Sequence, residues 1–268
     1  MTELSHPART TFRESLVIQG RVIWALLLRE IITRFGRHNI GVLWLLVEPL
    51  LFVLGVAALW SLVESKSVGV GSAAEFAAVS YSTVLLWRNP SSRMVKAVEA
   101  NQSLLYHRYV RPMDFFWARI LLEYGAGTAG FLLVYLLFLA FGVTHWPYDT
   151  LTMIFGWLLI AWFSFSFSLF TAAISEFSEA IEKIWHVVLY FMLPISGSFF
   201  PAYVVPQPFR NYLLLSPLVD ATEYFHHGYY GPRMPTYYNM GYLIAVNTLF
   251  TLIALSMIKI VGRRVQPE

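Results

Sequence analysis

The sequence contains no cysteine and few charged residues. Among its 268 residues, Asp, Glu, Lys and Arg together make up only 13%. The lack of cysteine excludes disulfides, thiolate metal sites and a cysteine nucleophile. The 19 basic residues exceed the 16 acidic residues by only three, an excess too small to predict nucleic acid as a partner.

The motifs of several enzyme classes are also missing. No phosphate-binding loop of the type G-x-x-x-x-G-K-[ST] is present, because none of the lysines follows a glycine. Any nucleotide hydrolysis would therefore have to come from another chain. The sequence has no H-E-x-x-H zinc motif and no G-x-S-x-G turn for a nucleophilic serine. We predict no catalytic residue, no metal site and no cofactor on this chain.

What the sequence does contain is apolar. Hydrophobic residues make up 57% and aromatic residues 17% of the chain, and the mean hydropathy is +0.57. That composition is typical of a polytopic membrane protein. We predict an all-α membrane protein with six transmembrane helices, each about long enough for a hydrocarbon core of ~30 Å. The spans are predicted near residues 39–63, 74–99, 114–142, 150–174, 180–197 and 237–260.

Residues 1–38 are predicted to form a cytoplasmic tail and an interface helix, and residues 39–268 the six-span transmembrane domain. Between residues 11 and 36, apolar side chains such as Leu16 and Ile23 recur at helical spacing, with arginines between them. This pattern is typical of an amphipathic helix that lies in the headgroup plane of a membrane. A helix that binds a soluble partner is the alternative. Most of the 19 lysines and arginines flank the spans on the same side as this helix, which predicts that both termini are cytoplasmic.

The connection from Pro194 to Pro235 has too many prolines for another spanning helix, yet it is too apolar for a free loop. Short re-entrant or interfacial helices on the outer side, between the fifth and sixth spans, fit both facts. Tyrosines crowd the same region, among them Tyr224, Tyr237 and Tyr238. Their rings could stack on sugars, or they could anchor the protein at the membrane interface.

Three cations interrupt the second predicted span. Each ionisable group at that depth costs roughly 3 kcal/mol, so such groups usually face a bundle interior, a cavity or a pathway. On a helical wheel, Lys96 lies about 80° and Arg93 about 140° from Arg88, so all three would share one side of the helix. Pro90 removes a backbone hydrogen bond and should kink the helix there. A basic, inward face suits an anionic substrate; snorkelling or pairing with internal acids is the alternative.

Two aromatic residues and one acid complete this predicted site. Trp87 and Tyr81 would supply stacking surface beside the cations in the predicted substrate-binding set. Glu48 lies within the first span, where an acid is costly unless it is matched. We predict that it is a buried counter-ion of Arg88, since both would lie at a similar depth. In the third span, Arg119 and Glu123 are spaced i,i+4 and are predicted to neutralise each other on one helix face.

The loop at residues 100–113 has the pattern of a short amphipathic cytoplasmic helix. Such a helix between two spans is suited to a groove in a partner protein, and an interfacial turn without a partner is the alternative. The residues predicted to make the contact are Asn101, Leu104, Leu105, Tyr106, Arg108 and Tyr109.

Several short motifs occur in order along the chain. They are Gly41-Val42-Leu43-Trp44, Glu48-Pro49-Leu50, Ala100-Asn101 followed by Leu104-Leu105-Tyr106, Val110-Arg111-Pro112-Met113-Asp114, Ala118-Arg119-Ile120-Leu121-Leu122-Glu123, Ser198-Phe199-Phe200-Pro201 and Ser216-Pro217-Leu218-Val219. In this order they resemble the permease of capsular polysaccharide ABC exporters (the KpsM type of the type-2 ABC exporter family). The resemblance covers nearly the whole chain.

This resemblance implies a homodimer that binds two copies of a separate ABC ATPase subunit, which would hold ATP and Mg. It implies export of lipid-linked, acidic capsular polysaccharide across the inner membrane of a Gram-negative bacterium. A periplasmic co-polymerase and an outer-membrane polysaccharide exporter would continue the route. Residues 101–112 would then be the coupling helix on the ATPase, and residues 11–36 the interface helix. An O-antigen or teichoic acid export permease is one alternative, and a membrane-embedded glycolipid transferase is another.

Overall fold

The computed structural model describes residues 11–35, 40–63, 71–106 and 110–265, and every regular element within these ranges is helical. The α-helices are α1 (Phe12–Phe35), α2 (Ile40–Val63), α3 (Ala73–Phe76), α4 (Ser82–Met94), α5 (Pro112–Ala140), α6 (Thr150–Phe177), α7 (Glu179–Met192), α8 (Phe209–Leu213), α9 (Pro217–Tyr230) and α10 (Met240–Val265). The all-α prediction is confirmed for the described residues.

Within the described ranges, three helices are long and apolar enough to cross a membrane, namely α5, α6 and the Met240–Gly262 part of α10. At a rise of 1.5 Å per residue, the 29 residues of α5 extend over about 44 Å, more than a hydrocarbon core of ~30 Å requires. A shorter apolar stretch, Leu50–Leu59, lies within α2. The other predicted spans correspond to α2, residues 73–94 and α7.

Helix α1 packs against the start of α5. The residues that it turns inward follow a helical spacing and are partly buried; they are Gln19, Val22, Ile23, Leu26, Leu27, Glu30 and Ile31. The side-chain amide of Gln19 donates a hydrogen bond to Asp114. Large apolar side chains also lie on the exposed surface of α1, including Leu16 and Trp24. The apolar surface of α1 is therefore not confined to the face that packs on the rest of the chain.

Residues 73–94 form one continuous helical segment. Ser72 precedes it, and its hydroxyl accepts a hydrogen bond from Glu75 N at 3.0 Å, which satisfies one free amide of the first turn. After α3 comes a π-helical segment, Ala77–Tyr81, in which every residue is buried. Such π-helical turns are uncommon and often lie near functional sites.

Helices α5 and α6 are joined by a short connection and run in opposite directions. Helix α5 begins with a proline, and Asp114 Oδ2 accepts a hydrogen bond from Arg111 N at 2.8 Å. Helix α6 begins after Asp149, whose Oδ1 accepts hydrogen bonds from Leu151 N and Thr152 N. Both helix starts are therefore specified locally.

Helix α6 lies at the centre of the helix bundle and packs against α4, α9 and α10. A Cβ atom built on Gly156 would lie 2.5 Å from Phe225 Cα, and one on Gly228 would lie 2.3 Å from Met153 N. Since Phe225 faces Gly156 and Gly228 faces Met153, α9 runs antiparallel to the first half of α6. Only glycine allows the two backbones to approach this closely.

The predicted span 180–197 is divided in the structure. The α-helix within it, α7, has 14 residues and extends over only about 21 Å. Pro194 then begins a 3₁₀ turn, because proline cannot continue the hydrogen-bond pattern of the helix before it. Short helical pieces follow up to α10, and α9 is the longest of them.

The two ends of the helix bundle differ in composition. We call the end formed by α1, residues 93–106 and 110–119 and the end of α6 the basic end. We call the end formed by residues 141–149 and 194–239 the aromatic end. At the basic end, Lys96 N donates a hydrogen bond to Ser175 Oγ at 3.0 Å. At the aromatic end, Tyr148 N donates to Tyr229 O at 3.0 Å.

Candidate functional site

The two aromatic residues of the predicted substrate site lie inside the chain. Tyr81 and Trp87 are buried in the main hydrophobic cluster. The ring centroid of Tyr81 lies 4.6 Å from that of Phe199, and the centroid of Trp87 lies 6.4 Å from that of Phe167. Within the single chain, neither ring is open to a ligand, so a role in stacking would require helices α4 and α6 or the connection after α7 to move.

Arg88 is paired with an aromatic ring rather than with an acid. Its Cζ lies 4.8 Å from the ring centroid of Tyr190 on α7, a cation–π contact. Glu48, the predicted buried counter-ion, is exposed on α2 in the described chain. The predicted ion pair is therefore not present among the described residues. The ion pair is missing because α4 packs against α5, α6 and α7, and this packing places Arg88 beside Tyr190.

The expectation that three cations share one helix face was wrong. Helix α4 ends at Met94, and Lys96 follows it in a turn with a φ angle of +52°. Arg93 is half exposed, and its Nε lies 3.8 Å from Glu123 Oε1. The helical wheel assumed a helix that continued to Lys96, whereas the hydrogen bond from Lys96 N to Ser175 Oγ holds the turned backbone against α6.

The predicted coupling segment is partly described. Residues Glu99–Tyr106 form a 3₁₀ helix, and this range includes Leu104, Leu105 and Tyr106. Asn101 is buried; its Nδ2 donates to Ala97 O at 2.9 Å, and its Oδ1 accepts from Arg29 Nη1 at 3.4 Å. Arg108 and Tyr109 lie outside the described residues. Asn101 therefore holds the segment to α1 and to the preceding turn.

The ion pairs at the basic end link different helices. Arg119 Nε lies 3.3 Å from Glu30 Oε1 on α1, and Arg119 Nη1 donates to Arg93 O at 2.9 Å. Arg93 in turn lies beside Glu123. The predicted i,i+4 pair between Arg119 and Glu123 is thus replaced by contacts to α1 and α4. A cavity of about 360 Å³ lies among these side chains.

Two clusters of buried polar side chains at the aromatic end were not predicted. The buried carboxylate of Glu75 accepts a hydrogen bond from Tyr229 Oη at 2.9 Å and lies 3.3 Å from His145 Nδ1. The partners are 70 and 154 residues from Glu75 in sequence, so no local spacing could have indicated them.

The second cluster contains Ser80, His226 and Glu223. Ser80 Oγ lies 2.7 Å from His226 Nε2, and His226 Nδ1 lies 3.9 Å from Glu223 Oε1. These residue types also form hydrolytic triads. Here all three side chains are completely buried, so no substrate could reach the hydroxyl. Glu223 instead accepts hydrogen bonds from Ala202 N at 2.9 Å and Tyr237 N at 3.0 Å, and it holds the aromatic end together.

A second cavity, of about 520 Å³, opens at the aromatic end. Its lining combines rings with amide and carboxylate groups, and it includes Asn211, Asp220, Tyr237, Tyr238 and Tyr242. Tyr237 also stacks its ring under the guanidinium of Arg210, with Cζ 4.5 Å from the ring centroid. Of the tyrosines predicted either to stack on sugars or to anchor the protein, Tyr237 and Tyr238 thus line this cavity.

Comparison with known proteins identifies the family. The model of the family described as ABC-2 type transporter matches residues 21–230, most of the chain. The chain belongs to the ABC-2 type transporter family. The match begins within α1 and ends with α9, so it covers most of the basic end and most of the aromatic end of the bundle.

Several relatives align along nearly their whole length. The chain is 39% identical over 264 residues to the capsule polysaccharide export inner-membrane protein BexB of Haemophilus influenzae, covering 97% of this chain and 98% of the relative. It is 38% identical over 260 residues to the capsule polysaccharide export inner-membrane protein CtrC of Neisseria meningitidis serogroup B, again covering 97% and 98%. Identity to the polysialic acid transport protein KpsM of Escherichia coli is 28% over 243 residues, covering 91% and 93%.

The described cavities of this ABC-2 chain are lined by groups that bind ligands non-covalently. Cations with donors to spare lie at the basic end, and rings with amides lie at the aromatic end. The arrangement of Ser80, His226 and Glu223, which resembles a catalytic triad, is sealed from solvent. The ABC-2 family is a family of transporters, and a transport subunit needs no reactive group of its own.

Proposed function

We propose that this chain is the transmembrane permease subunit of an ATP-driven exporter that moves lipid-linked acidic capsular polysaccharide from cytoplasm to periplasm. The observation that carries this proposal is the similarity to BexB and CtrC, which are named as capsule polysaccharide export proteins, over 97% of the chain. Two proteins that align from end to end at this identity generally share their architecture and their transport task. The proposal places the chain in the inner membrane of a Gram-negative bacterium.

The proposed topology has six spans, with both termini and the basic end in the cytoplasm. Helices α8 and α9 would be re-entrant or interfacial helices at the periplasmic side. Support comes from α9, which runs along the first half of α6 and places Pro217 about 16 Å deeper than Gly228. Backbone that enters and leaves at the same side is tolerated in a membrane where protein covers it.

The proposed assembly is a homodimer with two ATPase subunits, which bind ATP and Mg. The ATPase would dock on the coupling segment, residues 101–112, and α1 would be the interface helix. The position of Glu48 supports the proposed homodimer. An acid on the exposed surface of α2 is costly in lipid, so it has to be covered by a second copy of the chain or by a water-filled conduit. A periplasmic co-polymerase and an outer-membrane exporter would receive the polymer.

The cations are proposed to guide the anionic substrate. Arg93 and Lys96 lie at the basic end and would meet the substrate first. Arg88 lies more than one helical turn before Arg93 on α4, further from the basic end. Trp87 and Tyr81 would contact the polymer when the buried face of α4 becomes accessible during transport. Their burial in the single chain is compatible with a state in which no polymer is bound.

Deletion of the gene in its own host tests the function. We expect loss of surface capsule and retention of the polymer inside the cell, with both effects reversed by the gene supplied on a plasmid. The variants Arg88→Ala, Arg93→Ala and Lys96→Ala should lower export while they still copurify with the ATPase. Normal capsule with loss of O-antigen in the deletion strain would overturn the capsule assignment in favour of an O-antigen permease. Normal export by all three variants would remove their role in substrate guidance.

A further inference from the structure

The cavity at the basic end is lined by guanidinium groups from three separate parts of the chain. Arg29 comes from α1, Arg93 from the last turn of α4 and Arg119 from the second turn of α5. The cavity volume of about 360 Å³ lies within the range of small-molecule sites. Bringing three like charges together costs free energy, so an arrangement of this kind requires negative charge nearby.

The acids of the chain balance this charge only in part. Glu30 lines the cavity beside Arg119, and Glu123 lies 3.8 Å from Arg93. Arg29 has an amide as its described partner, at the long distance of 3.4 Å. A guanidinium carries five N–H donors, and the described contacts of Arg119 involve only its Nε and Nη1. Donors of all three side chains therefore remain for a ligand.

Neighbouring residues place the cavity at the level of lipid headgroups. Leu28 and Ile32 lie next to Arg29 and Thr33 along α1, and both apolar side chains are exposed. Exposed apolar side chains interleaved with cations on a helix are typical of a membrane surface. On the other side of the cavity, Arg119 and Glu123 lie on α5, an apolar helix of membrane length that continues to Ala140. A ligand in the cavity would therefore have its polar part among the arginines and its apolar part beside α1.

We propose that this cavity binds the phosphate of a lipid headgroup, held by Arg29, Arg93 and Arg119 with the hydroxyl of Thr33 and the amide of Asn101 beside it. Guanidinium groups bind phosphate oxygens through paired N–H donors, and their geometry fits phosphate better than that of an ammonium group does. An acidic side chain of the ATPase is the competing occupant. The exposed apolar residues of α1 favour a lipid, because a water-soluble partner would leave them uncovered.

A ligand at this position would contact every element that meets there. Asn101 is held by Arg29 and belongs to the segment proposed to dock on the ATPase. Occupancy would therefore stabilise the arrangement of α1, that segment and α5 together. That the natural ligand is the lipid end of the exported polymer rests on the proposed function, whereas the preference for a phosphate headgroup rests on the cavity alone.

Binding of a short-chain phosphatidylglycerol to the full chain in phosphatidylcholine nanodiscs tests the proposal. We expect Arg29→Gln and Arg119→Gln to weaken binding at least about tenfold, as loss of one charge-assisted pair at a phosphate does. Arg21→Gln is the matched control, because Arg21 is an exposed arginine on α1 that does not line the cavity. The affinity of Arg21→Gln for the lipid should equal that of the wild type.

The other arms separate the sources of the phosphate and protect the test against misfolding. Each variant is compared with the wild type by thermal unfolding; Arg29 is exposed, so Arg29→Gln should keep the wild-type transition. Inorganic phosphate should compete only weakly, and equal competition would overturn the lipid assignment. Unchanged lipid binding in both Arg29→Gln and Arg119→Gln would overturn the site. If these variants bound the lipid normally but no longer bound the ATPase, the arginines would be a contact for the ATPase, and the lipid proposal would also be overturned. Lipid binding in a chain that exports no capsule would leave the site standing and reject the proposed function.

Discussion

Glu223 at the aromatic end and Glu176 at the basic end make the same kind of contact in different surroundings. Each carboxylate accepts hydrogen bonds from two backbone amides of another part of the chain. Glu223 binds Ala202 N and Tyr237 N and is completely buried. Glu176 binds Val98 N at 3.0 Å and Glu99 N at 3.3 Å and is only partly buried.

The difference shows how the two ends are stabilised. Around Glu223, water is excluded, and a lost hydrogen bond leaves the buried amide of Ala202 without a partner. At the basic end, water and neighbouring charges can replace a lost contact. We therefore expect the aromatic end to be rigid and sensitive to substitution. The basic end, where the ATPase is proposed to dock, should tolerate rearrangement.

The largest effect is expected where α6 and α9 touch. In Gly228→Ala the new Cβ would lie 2.3 Å from Met153 N, and only backbone movement could relieve the overlap. We expect a loss of more than about 5 kcal/mol, enough to abolish folding. Size-exclusion chromatography of the detergent-solubilised protein would show loss of the monodisperse peak.

Gly125→Ala on α5 is the matched control. No atom lies within 4 Å of a Cβ built there. Alanine is the better helix former by about 0.5–1 kcal/mol, so this variant should be at least as stable as the wild type. A normal unfolding transition for Gly228→Ala would contradict the close packing of α6 and α9.

The second prediction compares the two glutamates directly. Glu223→Ala leaves the buried amide of Ala202 and the half-buried amide of Tyr237 without partners and should cost about 3–5 kcal/mol, whereas Glu176→Ala should cost about 1 kcal/mol because Glu176 is only partly buried and its bond to Glu99 N lies at the surface. For a chain of this size the midpoints of thermal unfolding should fall by roughly 10 °C and 3 °C. Equal losses would show that burial does not distinguish the two ends.

A smaller effect is expected from Asp149, which caps α6 at the aromatic end. The hydroxyl and the backbone amide of Thr152, with Leu151 N, hold the pKa of Asp149 below its ordinary value of 3.8. Because the folded-state pKa is lowered, the carboxylate stabilises the fold above the unfolded-state pKa, and this contribution is lost as the pH falls through the folded-state pKa.

The measurement is the difference in unfolding temperature between the wild type and Asp149→Ala as a function of pH. It should be a few degrees at pH 7 and shrink below pH 4. Asp149→Asn keeps a capping oxygen without a titrating group, so its unfolding temperature should lack this pH dependence. A difference that stays constant down to pH 3 would rule out the carboxylate as the cause.

The smallest effect belongs to the basic end. Lys96 Nζ lies 3.1 Å from Glu99 Oε2, and the glutamate is mostly exposed. Lys96→Gln should change the free energy of unfolding by less than about 0.5 kcal/mol, and the change should vanish in about 1 M salt. A larger change that resists salt would mean that this end is as rigid as the aromatic end.

Much of the fold follows from local sequence properties. Apolar runs of membrane length, the proline that begins α5 and the carboxylate that caps α6 all act within a few residues, so they could be recognised along the chain. The end of α4 could not be recognised in the same way. It depends on Ser175, which binds Lys96 N across 79 residues of sequence.

The sequence by itself determined that this chain is helical, suited to a membrane and related to polysaccharide exporters, because hydrophobic length and short motifs are local properties. Only the tertiary structure decided which charges meet. It paired Arg119 with Glu30 rather than with Glu123, and it left Glu48 exposed. An ion pair forms between the groups that packing brings within about 4 Å, and the packing of helices depends on residues far apart in the sequence.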